Sequence, residues 1–336
     1  MTALGVLWFF LIFLLIAGYF VFDGFDLGVG VLYPFLAKDD EERSIMRHSI
    51  GPVWDGNEVW LLTAGGALFA AFAPAYATTF SGFYLAIMLV LFGLILRGVS
   101  VEFVDRDPKW AKIWNACFFV GSLLPALLFG VAVGNIYAGI PMDAGGNYAG
   151  IPLLGLVTPF TLLCGLLGLS MFMAAGAAWT ALKAPAASEL RVRASSMRRI
   201  LQIVALVLFV CVSVYGHFGI APDMEPGLAF VRYALAILFV VALVIALVWN
   251  GNPDRDLIVF VLQSIAAVVL VFLLATSMFP NLVVASADSV GPAITVATAA
   301  SSDLALSWMT GIACIGVPIV LFYHVLVYRM FRGRLK

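Results

Sequence analysis

The sequence predicts an all-α, polytopic membrane helix bundle of nine transmembrane helices, and three observations predict it. Apolar residues make up 63% of the chain and charged residues 11%, against about a half and about a quarter in soluble domains, so most of the surface must meet lipid. The apolar residues gather into windows near the ~20 residues that a crossing helix needs. The basic residues between those windows fall on alternate connections, the pattern that the positive-inside rule gives a chain whose ends lie on opposite sides of a bilayer.

Breaks at charged residues and at Gly and Pro delimit the windows. They run Leu4 to Leu36, Val53 to Ala73, Tyr76 to Arg97, Ile113 to Tyr137, Leu153 to Leu182, Ile200 to Phe218, Phe230 to Trp249, Leu257 to Phe279 and Leu306 to Met330. The first begins MTALGVLWFF, with no basic leader and no small-residue cleavage site, and is read as a retained helix. Lys38, Arg43 and Arg47 follow it; Arg97, Arg106, Lys109 and Lys112 follow the third; Lys183, Arg191, Arg193, Arg198 and Arg199 follow the fifth. Arg255 follows the seventh, and Arg329, Arg332, Arg334 and Lys336 close the ninth. Of the 18 Lys and Arg residues, all but Arg232 then share one face. That face is predicted to be cytoplasmic, with the N-terminus outside and the C-terminus inside. Omitting one helix would reverse every later connection and scatter the charges.

The chain is expected to be a single membrane domain over residues 1–336, arranged as two four-helix bundles plus one peripheral helix. The basic segment Lys183 to Arg199 divides four helices from five. Gly139 to Pro152 and Gly219 to Gly227 are expected to be compact outer turns, and Pro280 to Ser302 to lie along the outer surface. Little remains for a soluble domain, and a formal net charge of −1 gives nucleic acid nothing to recognise. Cys117, Cys164, Cys211 and Cys314 stand singly in apolar stretches, without CxxC spacing, so neither a zinc site nor a disulfide framework is indicated. They read as small packing residues.

Two polar constellations interrupt the apolar windows. In the first, Asp23-Gly24-Phe25-Asp26-Leu27-Gly28-Val29-Gly30, the two carboxylates share a helix face. Counting from Leu4 places Asp23 about 29 Å along the helix, near the inner boundary. The pair is either wet there or, since the apolar run continues to Leu36, buried in protein, where an ionisable group marks function. The second, Gly51-Pro52-Val53-Trp54-Asp55-Gly56-Asn57-Glu58-Val59-Trp60-Leu61, opens the second helix. Asp55 and Glu58 complement the helix dipole there, and Trp54 suits an interface. At similar depth on antiparallel neighbours, the two constellations can also form a proton path or a polar subunit contact. Arg97, at the expected inner end of the third helix, either snorkels or pairs with Asp55, Glu58 or a partner.

These segments resemble the cytochrome bd oxidase subunit II family. The likeness rests on GFDLGVG after the first helix and WDGNEVWLLTAGGALFAAF at the second, and continues through SGFYLAIMLVL, GNIYAGIP, MFPNLV and VPIVLFYHVLVYRMFRGR. It implies subunit II of a quinol:oxygen oxidoreductase, inactive alone, whose obligate partner, subunit I, carries two haem b and one haem d and oxidises quinol at the outer face. Oxygen becomes water with protons drawn from the cytoplasm, in a prokaryotic inner membrane. The resemblance implies that this chain scaffolds subunit I and borders proton and oxygen access to its haems. Asp23, Asp26 and Asp55 match the family's acidic positions, and Asp55 is the residue expected to line a proton path. The short connection after the sixth helix is similar to that of compact, cyanide-insensitive members. A small single-helix subunit, quinone and phospholipid are further partners that the resemblance admits.

Histidine supply bears on the haem directly, because haem iron needs axial His or Met. His48 lies in an inner loop, His217 at an outer helix end and His324 toward an inner one, between Tyr323 and Tyr328. His217 and His324 are at opposite faces and cannot share an iron, and His48 and His324, a loop and an interfacial residue, read as solvated groups. No directly bound cofactor or metal and no redox-catalytic residue are therefore expected in this chain, and the 11 methionines read as packing. Gly65, Gly66, Gly93, Gly165 and Gly168 are read as points of close helix approach. A proton- or ion-coupled secondary transporter is the rival class, since acidic residues in glycine-containing helices suit ion coupling; no internal repeat supports it. A scaffold without a proton role is the third.

Overall fold

A computed structural model describes residues 1–220 and 224–335. Part of the expected Gly219 to Gly227 turn, and Lys336, lie outside the described residues. Among the described residues eight helices are long and apolar enough to cross a membrane. They are α1 (Ala3–Leu36), α5 (Tyr84–Phe103), α6 (Ala111–Ala138), α7 (Pro159–Lys183), α8 (Glu189–Tyr215), α9 (Ala229–Val248), α10 (Asp256–Met278) and α12 (Asp303–Met330). The second expected crossing is α3 (Trp54–Ala71), whose 18 residues begin with a polar turn and fall outside that set.

Local chemistry sets several boundaries away from the sequence expectation. The inner loop after α1 is a helix, α2 (Asp40–Ile50): Asp39 caps it by accepting from the Glu42 amide, Asp40, Glu41 and Glu42 fill its first turn, and Arg47 and His48 close its last. Pro74 ends α3 as expected, but it also starts a separate short helix, α4 (Ala73–Gly82), with proline in its first turn. The next crossing therefore begins at Tyr84 rather than Tyr76 and runs to Phe103 rather than Arg97. Capped by Ser188, α8 starts at Glu189, eleven residues before the expected Ile200, so most of the basic segment is helix, not loop. The α7 crossing starts at Pro159, not Leu153, behind a Thr158/Thr161 capping box.

α1 is the axis of the fold. Its 34 residues span about 51 Å, and it packs against α3, α6, α7, α10 and α12. The closest crossing is at Gly28 and Gly176, where a Cβ on Gly28 would stand 1.8 Å from the Phe172 carbonyl oxygen, so only glycine fits. Gly93, Gly165 and Gly168 also sit at close approaches, whereas Gly66 faces open space and Gly65 meets nothing nearer than 3.9 Å. α8 packs on α7, and α9 on α10. α12 lies on the outside, with Leu306 and His324 its buried residues. Cys164 is buried, but Cys211 and Cys314 are exposed, and all four thiols are free.

The two ends of the bundle differ. At the end holding the N-terminus, β1 (Asn281–Val283) pairs antiparallel with β2 (Ile294–Thr295), and the four-residue α11 (Val296–Ala299) follows. This segment was expected to lie along the outer surface; Leu282, Val283, Val296 and Ala299 turn inward and are buried with Trp8, Phe9 and Phe72 in one cluster, while Asp288 and Val290 are exposed. Nearby, the Asn147 and Gly145 amides donate to Asp143 and hold its carboxyl below the usual range. The opposite, basic end holds α2, the start of α8 and the tail as far as Leu335. Arg47 binds Tyr33 and stands 2.6 Å from Asp105 just beyond α5, and Arg193 joins Glu42 at 2.5 Å.

Candidate functional site, a buried carboxylate cluster

Four helices bring the site together. α1 supplies Asp23 and Asp26, both with no exposed surface, α3 supplies Asn57, Glu58 and Trp60, α5 supplies Arg97, and α12 supplies His324 and Tyr328. Arg97 was expected at a helix end. Because α5 runs on to Phe103, the residue lies two turns inside and is 1% exposed. Snorkelling is therefore replaced by pairing: Nη1 stands 2.8 Å from Asp23 Oδ1, and Nη2 donates to Glu58. Trp54 packs over Gly98 beside this pair, its ring 3.0 Å from where a Cβ would be.

Among the described residues Asp26 has no cation partner. Its Oδ2 accepts from Asn57 Nδ2 at 2.7 Å, while Oδ1 is buried without a protein partner. Asn57 also donates to the Phe22 carbonyl at 3.0 Å, and its own Oδ1 accepts from the Tyr328 hydroxyl at 3.1 Å. A lone ionised carboxylate deep in a spanning helix costs about 2.5–3.5 kcal/mol on insertion scales. Arg97 offsets that cost for Asp23 and Glu58 and leaves it standing for Asp26. With one guanidinium against three carboxylates, charge balance calls for protons on the others. The cluster can accept and release protons without any group leaving its place.

Asp55 is placed otherwise. It was expected opposite Asp23 and Asp26, but it is on the exposed side of α3, and among the described residues its side chain accepts only from the Gly56 amide, at 2.8 Å. Asn57, Trp60 and Tyr328 were not singled out as site residues. A polar Asn between two carboxylates in a helix was the available signal; nothing in the sequence showed that α12 would pack there.

The three histidines have separate surroundings. His324 was expected to be solvated but is buried: Trp60 Nε1 donates to its Nε2 at 3.2 Å, and its Nδ1 is 2.9 Å from the Val320 carbonyl, so both ring nitrogens are engaged. His48 is exposed, with Nδ1 2.8 Å from the Ser44 carbonyl, and His217 is exposed at the other end. Among the described residues no three His, Cys, Asp or Glu gather as metal ligands.

A second buried carboxylate behaves differently. Asp256 meets Arg191 at 2.8 Å, Arg334 at 3.0 Å and Arg198 at 3.4 Å, clamping α8, α10 and the C-terminal tail. Its charge is over-compensated, and the cluster reads as a fastening. Between α1, α7, α8 and α10 there is also an apolar cavity of about 1050 Å³, lined by Phe13, Phe20, Phe160, Leu167 and Phe209, with His217 and Arg232 on its wall.

Known proteins match this chain along its length. The family described as cytochrome bd terminal oxidase subunit II matches residues 4–331. A probable cytochrome oxidase subunit 2 of Haemophilus influenzae is 35% identical, covering 99% of this chain and 95% of the relative. The cytochrome bd-I ubiquinol oxidase subunit 2 of Escherichia coli is 34% identical over 99% of this chain and 95% of its own. The corresponding cytochrome bd subunit of Bacillus subtilis is 35% identical, over 100% and 98%. A chain in the solved bd oxidase of Geobacillus thermodenitrificans superimposes with a TM-score of 0.79 over 98% of this chain and 99% of that one, at 14% identity, so the fold is shared well beyond recognisable sequence. The chain belongs to the cytochrome bd terminal oxidase subunit II family.

Proposed function

We propose that this chain is the haem-free partner in a quinol:oxygen oxidoreductase of a bacterial inner membrane, and that it carries protons inward from the cytoplasm to an obligate haem-bearing subunit I. Family membership makes it one subunit of a terminal oxidase complex. The observation that carries the proton role is Asp26, wholly buried, hydrogen-bonded and without a cation, three residues from the Asp23–Arg97–Glu58 ion pairs. Reduction of oxygen to water consumes protons, and groups that gain and lose one at modest cost are what a relay through a low-dielectric region needs.

In this reading subunit I holds two haem b and one haem d and oxidises quinol, while Asp23, Asp26, Glu58 and Arg97 store and pass protons. Asp55 and Trp54, at the exposed start of α3, border subunit I. The nine-crossing topology counts α3: its start bonds to Asp26 of α1 and Tyr328 of α12, and its last residues reach Ser301, just before α12 begins. A helix joining both ends of α12 runs the same depth as α12 does. The basic end is then cytoplasmic, with the N-terminus outside. The apolar cavity suits a structural quinone or phospholipid tail, and the exposed apolar faces leave room for a single-helix subunit.

Mild-detergent purification of the tagged chain tests the reading. A second membrane subunit should co-purify with the haem spectrum and quinol-driven oxygen uptake, and the chain alone should carry no stoichiometric haem. A haem spectrum in the pure single chain, or recovery without any partner, refutes it.

A further inference from the structure

We propose that residues 331–335 are a strap that latches α12 onto the ends of α7 and α10 at the basic side of the bundle, and that it closes after the Asp256 clamp has formed. In lipid, helices gain nothing from burying apolar side chains against one another rather than against acyl chains, so close packing and hydrogen bonds decide which ones associate. α12 packs little, its buried residues being Leu306 and His324. It is pinned by hydrogen bonds instead. Trp8 Nε1 donates to the Leu306 carbonyl at 3.2 Å and to Thr310 Oγ1 at 3.0 Å near the start of α12; farther along, Trp60 Nε1 donates to His324 Nε2 at 3.2 Å, and the Tyr328 hydroxyl donates to Asn57 Oδ1 at 3.1 Å. The strap adds a further pin beyond the helix.

α12 ends at Met330, and Gly333, at a φ of 106°, turns the chain across the end of α7. Lys183 grips the strap on both sides of that turn: its ammonium donates to the Phe331 carbonyl, and its own carbonyl accepts from the Leu335 amide at 2.7 Å. Arg334 Nη1 donates to the Ala181 and Ala184 carbonyls, both at 2.8 Å, and Nη2 to the Pro253 carbonyl at 3.1 Å and Asp256 Oδ2 at 3.0 Å. The last carbonyls of a helix lack intrahelical partners and carry its negative dipole end, so a guanidinium suits them. Asp256 contributes less, because Arg191 and Arg198 already more than balance it. The acceptors of Arg334 come from the end of α7 on one side and from the start of α10 and the turn before it on the other. They stand together only once α8, packed on α7, has joined Asp256 through Arg191, so the strap follows the clamp.

The test is amide hydrogen exchange in the complete complex, read by mass spectrometry together with the subunit ratio. An added Cβ in Gly333→Ala meets no neighbour and removes no group, so that variant acts on the turn alone. Arg334→Lys keeps the charge and loses the planar fork that reaches four acceptors. Each should speed exchange over residues 323–330 by about tenfold and leave residues 304–312 and 256–262 as they were, whereas Trp8→Phe should speed 304–312 alone. Asp256→Asn should loosen 256–262 and, because the strap follows the clamp, 323–330 as well. Gly333→Ala decides the matter if Arg334→Lys does not assemble. Unchanged exchange over 323–330 in the strap variants overturns the latch, and faster exchange at 256–262 in either of them, matching that at 323–330, overturns the order of closing.

Discussion

Asp23 and Asp26 lie three residues apart on one helix and have different partners. Asp23 is neutralised by Arg97, whose second nitrogen serves Glu58, while Asp26 rests on the Asn57 amide. Geometry thus separates a carboxylate held by a guanidinium from one held by an amide. Asp55 is a third case, exposed and one helical turn from Glu58. If it hands protons to subunit I, Asp55→Asn should lower oxygen uptake per haem by about tenfold with haem content and subunit ratio unchanged. If it only complements the helix dipole, Asn should serve at a cost of about 1 kcal/mol or less, and the rate should be normal.

At the scale of elements, helix ends decide what the side chains do. Asp23, Asp26, Glu58 and Arg97 were legible as residue types, because charge inside apolar windows stands out. Pairing of Arg97 with Glu58 was one of two readings and pairing with Asp23 was not foreseen, because the choice depends on α5 starting at Tyr84 and running to Phe103, a shift set by the α4 turn that Pro74 begins. Placed at a helix end, Arg97 would be wet. α2 carried its signal in plain view, an Asp cap with an acidic first turn and a basic last turn, yet short amphipathic helices are hard to tell from charged loops by apolar windows alone. The crossing of α1 and α7 shows the reverse, a small-residue pattern whose meaning emerges only from the partner. Gly28→Ala should cost about 1–3 kcal/mol or more and lower the amount of assembled complex, because the added Cβ meets backbone rather than a movable side chain. Assembly at the normal level would mean that the two helices can separate there.

For the whole molecule, charge placement and hydrogen bonding agree on one layout. The basic end carries α2, the start of α8 and the Asp256 clamp, and under the proposed topology its lysines and arginines face the cytoplasm. Reporter fusions at Gly145 and after Lys336 should therefore report outside and inside; the opposite result at either site would break the nine-crossing count. The basic alternation is what the sequence offers toward that topology, whereas the packing of α12 over α3, which completes the cluster through Tyr328, needed the fold. The central claim is that this subunit passes protons through Asp26, and the most direct measurement is oxygen uptake per haem by the Asp26→Asn complex. Asn keeps the size and a hydrogen bond to Asn57, and leaves no cation unpaired. The account predicts normal haem content and subunit ratio with turnover lowered by about tenfold or more; turnover equal to that of the unmodified complex would contradict it.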